Sequence, residues 1–327
     1  MRAVVIESFG EPDVLVVREV PDPEPGPDEV LVEVVSSALN RADLLQRRGL
    51  YPGPPAEFDI PGMEFAGRVV AVGTRVTGRS VGDAVMGIVA GSAHAELLVV
   101  HERQTASVPE ALALDAAGAV PEVFITAFDA LVVQGGLTSG RVALVHAGAS
   151  GVGTAAIQIA RAVGADVIVT TSAGKVEACR DLGATVVVDY GSADFVEAAL
   201  EHTGGRGVDV VLDVVGGDYL DRNVRALRVG GRIVQVGVMG GGQTPFNLGM
   251  LLPKRATVVG TVLRGRPLEE KIAVTQRFAQ ELVPLFADGR LVPVIDSRFP
   301  LDGVADAHRR MESNANVGKI VLEVRPA

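Results

Sequence analysis

The sequence predicts an α/β protein of two domains, one built on a doubly wound parallel sheet and the other smaller and mostly β. Three observations carry this expectation. At 327 residues the chain is too long for one ordinary core. From Gly140 onward, valine-rich apolar runs alternate with helical segments, the pattern of a parallel sheet covered on both faces. The 39 glycines stand in a valine- and alanine-rich chain, which marks many tight strand-to-helix turns rather than a flexible linker. The expected partition places residues 1–122 and 265–327 in the mostly β domain and residues 123–264 in the domain of the parallel sheet.

The amino-terminal part reads as short strands broken by turn signals: Ala3–Glu7, Val14–Val20, Val30–Val35, Gly67–Val72, Ala84–Val89 and Ala95–Val100. The prolines of Pro21-Asp22-Pro23-Glu24-Pro25-Gly26-Pro27 lack amide donors, so this segment is a stiff loop between two strands and not a domain linker. Asn40–Gly49 reads as a helix that Gly49 stops. The later apolar runs are Val142–His146, Val167–Thr170, Val186–Asp189, Val208–Val215, Arg232–Val238 and Thr257–Val262, and six of them match a dinucleotide-binding sheet. Beyond Arg264 come a helix over Leu268–Ala287, the apolar Leu291–Ile295, a helix near Asp302–Met311 and a strand Lys319–Val324. Six strands already complete the parallel sheet, so this tail is expected to rejoin the first domain.

Composition excludes several classes. A net charge of −10 opposes attraction to nucleic acid or anionic membranes. The single cysteine, Cys179, allows neither a disulfide nor a multi-cysteine metal site within one chain. No apolar stretch reaches the roughly 18–20 residues of a membrane span, and Met1-Arg2-Ala3-Val4 runs straight into a strand without a cleavage signal, so a cytoplasmic location is expected.

The strongest motif is Val145-His146-Ala147-Gly148-Ala149-Ser150-Gly151-Val152-Gly153, set between an apolar strand and a helix. Val152, Ala156, Ile159 and Val163 give that helix one apolar stripe, and Gly164 closes it. A phosphate needs backbone amides aimed at it and no side chain in the way, which a glycine turn at a helix start supplies. Ser150 replaces the middle glycine of the full dinucleotide fingerprint and offers a hydroxyl or amide instead. About twenty residues on, where an acid would bind the ribose hydroxyls of NAD, the chain reads Thr170-Thr171-Ser172-Ala173-Gly174-Lys175. Hydroxyls and the Lys175 ammonium suit a 2′-phosphate, so NADPH is the expected cofactor. Tyr190, ending the third strand of the sheet, either flanks the adenine-ribose end or simply packs.

Beyond the glycine turn, the chain carries Ala38-Leu39-Asn40-Arg41-Ala42-Asp43, Gly49-Leu50-Tyr51, Met239-Gly240-Gly241-Gly242 and Asn316-Val317-Gly318-Lys319-Ile320-Val321-Leu322 in order. On these segments it resembles, over nearly its whole length, the zinc-free medium-chain dehydrogenase/reductases, and within them the quinone oxidoreductases of the p53-inducible branch. The resemblance implies a GroES-like first domain, a Rossmann second domain and a cofactor in the cleft between them. It implies that Ser150, Gly151, Val152, Ser172, Lys175 and Tyr190 line the phosphate and adenosine end of NADPH. Tyr51, Val238, Met239, Leu263, Arg264 and Asn316 then line the nicotinamide end. It also implies a homodimer joined through the sixth Rossmann strands.

Where the zinc alcohol dehydrogenases of the superfamily place a cysteine and a histidine before a glutamate, this chain has Asn40 and Met63-Glu64. No metal is expected, and His94, His101, His146, His202 and His308 read as structural or surface residues. Without a metal to polarise a carbonyl, simple alcohols are poor substrates, whereas quinones and activated alkenes spread the charge that a hydride brings. The expected activity is hydride transfer from NADPH to a quinone. The alternatives are an NADPH-dependent enone or enoyl reductase on the same fold and a cofactor-binding protein without catalysis. Asn40 and Tyr51 are the polar groups expected near the substrate as hydrogen-bond donors, against the plainer reading of a helix cap and a cleft-lining aromatic.

Overall fold

A computed structural model describes residues 1–325 apart from Pro52 and Pro54. The chain forms two compact units, Met1–Ile125 with Arg264–Ala327, and Thr126–Leu263. The first crossing falls three residues later than the sequence places it, and Arg264 belongs to the first unit.

The first unit holds strands β1 (Arg2–Ile6), β2 (Leu15–Glu19), β3 (Glu29–Ala38), β4 (Glu64–Val72), β5 (Ala84–Ile88), β6 (Leu97–His101) and β7 (Thr105–Ser107). Strand β7 carries no apolar alternation and is found only through its pairing with β5. The proline segment forms no strand. The helix expected over Asn40–Gly49 spans Arg41–Arg47, with Asn40 at its N-cap and Gly49 left-handed at φ +72°.

The second unit contains β8 (Val142–Val145), β9 (Asp166–Thr171), β10 (Val186–Asp189), β11 (Val208–Asp213), β12 (Leu227–Gln235) and β13 (Thr257–Gly260). They pair in parallel in the order β10-β9-β8-β11-β12-β13. Every residue of β8 and β11 is buried, as a sheet covered on both faces requires. Strand β11 stops at Asp213, two residues short of the expected end, because its Oδ1 accepts the amides of Val215 at 2.6 Å and Gly216 at 2.9 Å and bends the chain into a turn. Strand β12 starts at Leu227, five residues earlier than expected, and Val208 pairs with Leu227 across a register shift.

The tail returns to the first unit. The expected helix over Leu268–Ala287 is two, Leu268–Glu281 and Val283–Ala287, since Pro284 has no amide to continue the first. Strand β14 (Ile295–Pro300) runs parallel to β15 (Lys319–Glu323), and β15 pairs antiparallel with β3 so that Val321 faces Ala38. Val30, Val32, Val34, Phe65, Leu98, Ile320 and Leu322 share the core that results. This pairing brings Lys319 beside the end of β3.

Candidate active site

In the second unit the glycine turn is built for close approach. Ser150 caps the helix Gly151–Ala162, its Oγ accepting the Gly153 amide at 3.0 Å. The amides of Gly151 and Val152 have no acceptor among the described residues, so two donors and the positive helix end face outward together. A Cβ on Gly153 would stand 2.3 Å from the Ala147 carbonyl, and one on Gly148 would stand 2.6 Å from Val169 Cβ. These glycines are required by packing. A dinucleotide pyrophosphate fits the donor set that the turn leaves open.

A buried side-chain chain supports the turn from behind. His146 Nε2 lies 2.7 Å from Asn223 Oδ1, and Asn223 Nδ2 donates to Asp213 Oδ2 at 2.9 Å. That orientation makes Nε2 the protonated nitrogen of a neutral ring, leaving Nδ1 to accept from Thr170 Oγ1 at 3.0 Å. Burial holds the His146 pKa below its usual value. The Gly148 amide donates to the Thr170 carbonyl at 2.8 Å, so β8, β9 and β11 hold the turn in common.

At the end of β9, Thr171 and Ser172 lead to Lys175, and no carboxylate stands among residues 170–175. Ser172 and Lys175 are partly exposed, and Tyr190 is 56% exposed, its amide bonded to the Thr171 carbonyl at 3.1 Å. Val238 and Met239 are exposed on a loop pinned by Met239 N to Val214 O at 3.2 Å and Gly240 N to Val215 O at 2.7 Å. Leu263 is buried.

The first unit gathers the remaining candidates. Asn40 Nδ2 donates to Glu64 Oε1 at 2.8 Å and to the Ala38 carbonyl at 3.3 Å, while its Oδ1 accepts from Lys319 Nζ at 2.7 Å. Lys319 also donates to the Leu39 carbonyl at 2.6 Å. The Asn40 amide is thus engaged at every hydrogen, and its backbone N–H donates to Asp43 Oδ2 at 2.7 Å. Asp43 is buried, which pushes its pKa up. Arg264 donates to Ala90 O at 2.6 Å, Tyr51 O at 3.1 Å and Gln46 Oε1 at 2.7 Å, and its guanidinium lies 4.9 Å from the centre of the Tyr51 ring. The Tyr51 hydroxyl has no hydrogen-bond partner among the described residues. Asn316 is buried and donates to the Gly318 carbonyl at 3.0 Å.

Sequence reasoning missed Lys319, Glu64, Glu122 and the Ser37–His94 pair. Ser37 Oγ donates to the Glu64 carbonyl at 2.7 Å and so accepts from His94 Nδ1 at 2.9 Å, which fixes that tautomer. Burial and the Lys319 charge lower the His94 pKa to about 3. The available signal was a lysine inside the apolar run Gly318-Lys319-Ile320-Val321, because a lysine in a buried strand needs a partner.

The residues present do not fit a zinc ion. No group of three His, Cys, Asp or Glu among the described residues is placed to hold a metal. An ammonium beside Asn40 and Glu64 would repel a divalent cation there.

A GroES-like unit and a Rossmann unit with an open anion turn define a nucleotide-dependent oxidoreductase scaffold. Its sequence matches the alcohol dehydrogenase GroES-like domain over residues 26–132 and the zinc-binding dehydrogenase model over residues 151–282. The chain belongs to the medium-chain dehydrogenase/reductase family. It is 35% identical to the synaptic vesicle membrane protein VAT-1 homolog of Rattus norvegicus, over 100% of this chain and 85% of the relative. A crystal structure of an NAD-dependent alcohol dehydrogenase superimposes with a TM-score of 0.89 at 32% identity, covering 99% of this chain and 100% of that one. Escherichia coli quinone oxidoreductase complexed with NADPH gives a TM-score of 0.89 at 31% identity, with the same coverage.

Proposed function

We propose that this chain is an NADPH-dependent, zinc-independent quinone oxidoreductase of the p53-inducible branch. One observation supports the metal-free reading above all others: the Lys319 ammonium lies 2.7 Å from both Asn40 Oδ1 and Glu64 Oε1, and a positive charge there opposes a divalent cation. Bound NADPH supplies the hydride. Gly151 and Val152 bind its pyrophosphate through their free amides, and Ser150 shapes the turn. Ser172 and Lys175 receive the 2′-phosphate, with Tyr190 beside the adenosine. Val238, Met239, Leu263, Tyr51, Arg264 and Asn316 bound the nicotinamide end, and Asn40 and Tyr51 lie towards the acceptor. On this reading the unit Thr126–Leu263 carries the cofactor and the other unit receives the acceptor.

The relative solved with NADPH supports the cofactor class, and the missing acid after β9 supports the phosphate form. The reading includes a homodimer through β13, an edge strand with one sheet neighbour whose Val258 is 43% exposed. It also includes a cytoplasmic location; among the described residues no helix is long and apolar enough to cross a membrane. The test is steady-state NADPH oxidation with benzoquinone, naphthoquinone and enone acceptors. Turnover with a small quinone and near silence with ethanol or simple ketones are expected. Metal-independent alcohol oxidation without any quinone turnover would overturn the assignment.

A further inference from the structure

Asp213, the last residue of β11, is fully buried, and every described partner of its carboxylate is a neutral amide. Oδ1 takes the Val215 and Gly216 amides, and Oδ2 takes Asn223 Nδ2 at 2.9 Å. Such a set calls for an acceptor at both oxygens: an asparagine here would aim its NH2 either at the two backbone amides or at the NH2 of Asn223. Two arms leave the carboxylate. The Oδ2 arm runs through Asn223 and His146 to Thr170, whose carbonyl takes the Gly148 amide, so it ends on the glycine turn. The Oδ1 arm bends residues 214–216 into the turn that meets the loop after β12. There Val214 O takes the Met239 amide at 3.2 Å and Val215 O takes the Gly240 amide at 2.7 Å. Gly216 and Gly217 are left-handed, at φ +68° and +55°, and a Cβ on either would stand 3.0 Å from a carbonyl of that loop, Gly241 O or Gly240 O. The Asp213 carbonyl adds the Val236 amide at 2.7 Å and Gln235 Nε2 at 3.2 Å.

We propose that Asp213 is a positioning residue that ties the pyrophosphate turn to the loop at the nicotinamide end, so that one carboxylate sets the spacing between the two halves of the cofactor site. This rests on the cofactor reading above, with the pyrophosphate at Gly151 and Val152 and the nicotinamide end at Val238 and Met239. Asp213 itself touches neither cofactor nor acceptor. Its charge also orders the protons along the first arm: Asn223 turns its NH2 to Asp213 and its oxygen to His146, whose ring then carries its hydrogen at Nε2. Cutting the chain at Asn223 removes the support of the turn and leaves the loop its own. Cutting it at Asp213 releases both. A loop displaced from the turn misplaces the nicotinamide even where the adenosine end still binds, and hydride transfer is sensitive to such misplacement.

Two ligands read the arms separately: NADPH, which spans the site, and adenosine 2′,5′-bisphosphate, which stops at the turn. Asn223→Ser should weaken both by the same factor, on the order of tenfold for one lost buried hydrogen bond. Asp213→Ser should weaken NADPH about tenfold further, lower kcat, and cost the bisphosphate nothing more. The exchanged pair, Asp213→Asn with Asn223→Asp, gives every donor an acceptor again and should bind NADPH close to wild type. Nitrogen NMR of the His146 ring should show a neutral imidazole protonated at Nε2 in wild type and in the exchanged pair. A wild-type ring protonated at Nδ1 overturns the proposal. So does an Asp213→Ser protein that loses no more NADPH affinity than Asn223→Ser, or a folded exchanged pair that binds as weakly as Asn223→Ser. Where Asp213→Ser does not fold, the exchanged pair and the imidazole decide. A wild type that binds neither NADPH nor the bisphosphate overturns the cofactor reading beneath, whatever the imidazole shows.

Discussion

Lys319 Nζ lies 2.7 Å from Glu64 Oε1, with the two side chains 4% and 0% exposed. A pair this deep is held by geometry: Leu39 O and Asn40 Oδ1 take the other ammonium hydrogens, and Glu122 N and Asn40 Nδ2 serve the carboxylate. Removing one partner leaves a charge with no solvent to receive it.

Lys319→Met is therefore expected to cost about 3–5 kcal/mol of stability, measured by urea denaturation. Adding Glu64→Gln removes the stranded charge and should recover part of that loss. Equal stability of wild type and Lys319→Met would show that the pair contributes nothing.

His94 sets an acid dependence. Its pKa is lowered from 6.5 to about 3 in the folded chain, so between those values the unfolded chain binds the additional proton. Stability should fall as pH drops from 6.5 towards 3 and show no His94 effect above 6.5. His94→Asn should flatten that slope in denaturation midpoints taken across the window. Glu122, raised from 4.5 to about 8, acts in the opposite sense: its contribution is present below 4.5 and is lost as pH climbs through 8.

Lys175 is expected to distinguish the two nicotinamide cofactors. Lys175→Ala should weaken NADPH binding by roughly tenfold to a hundredfold, from a charge-assisted bond of about 1.5–3 kcal/mol, and leave NADH almost unchanged. Fluorescence titration with both cofactors reads this directly. Equal losses would mean that Lys175 does not meet the 2′-phosphate.

The glycines after Met239 test the room left for a flat acceptor. Gly241 has φ +125°, so a side chain there is strained whatever space surrounds it. Gly242 is the cleaner position, since a Cβ would meet only Val238 Cγ2, at 3.9 Å. Gly242→Phe should lower kcat/KM for a naphthoquinone on the order of tenfold to a hundredfold through misplacement of the rings, with a thermal midpoint close to wild type. Unchanged kinetics would place the acceptor elsewhere.

The sequence by itself determined the six parallel strands, the glycine turn between β8 and its helix, and the residue types that stand after β9 and at Asn40 and Met63. Each of these is written in local periodicity or in a few consecutive residues, where backbone sterics and side-chain chemistry act over one or two turns. Strand ends were legible only in part, because Asp213 closes β11 through bonds that its apolar neighbours do not announce. Only the tertiary structure decided what Asn40, Glu64, Glu122 and Lys319 do. Glu64 meets Asn40 across 24 residues and Glu122 across 58, and Lys319 meets Asn40 across 279. The Lys319 contact exists because β15 pairs with β3, and the Glu64–Asn40 contact because β4 pairs with β3; a buried charge takes whichever partners such long-range pairing brings within reach.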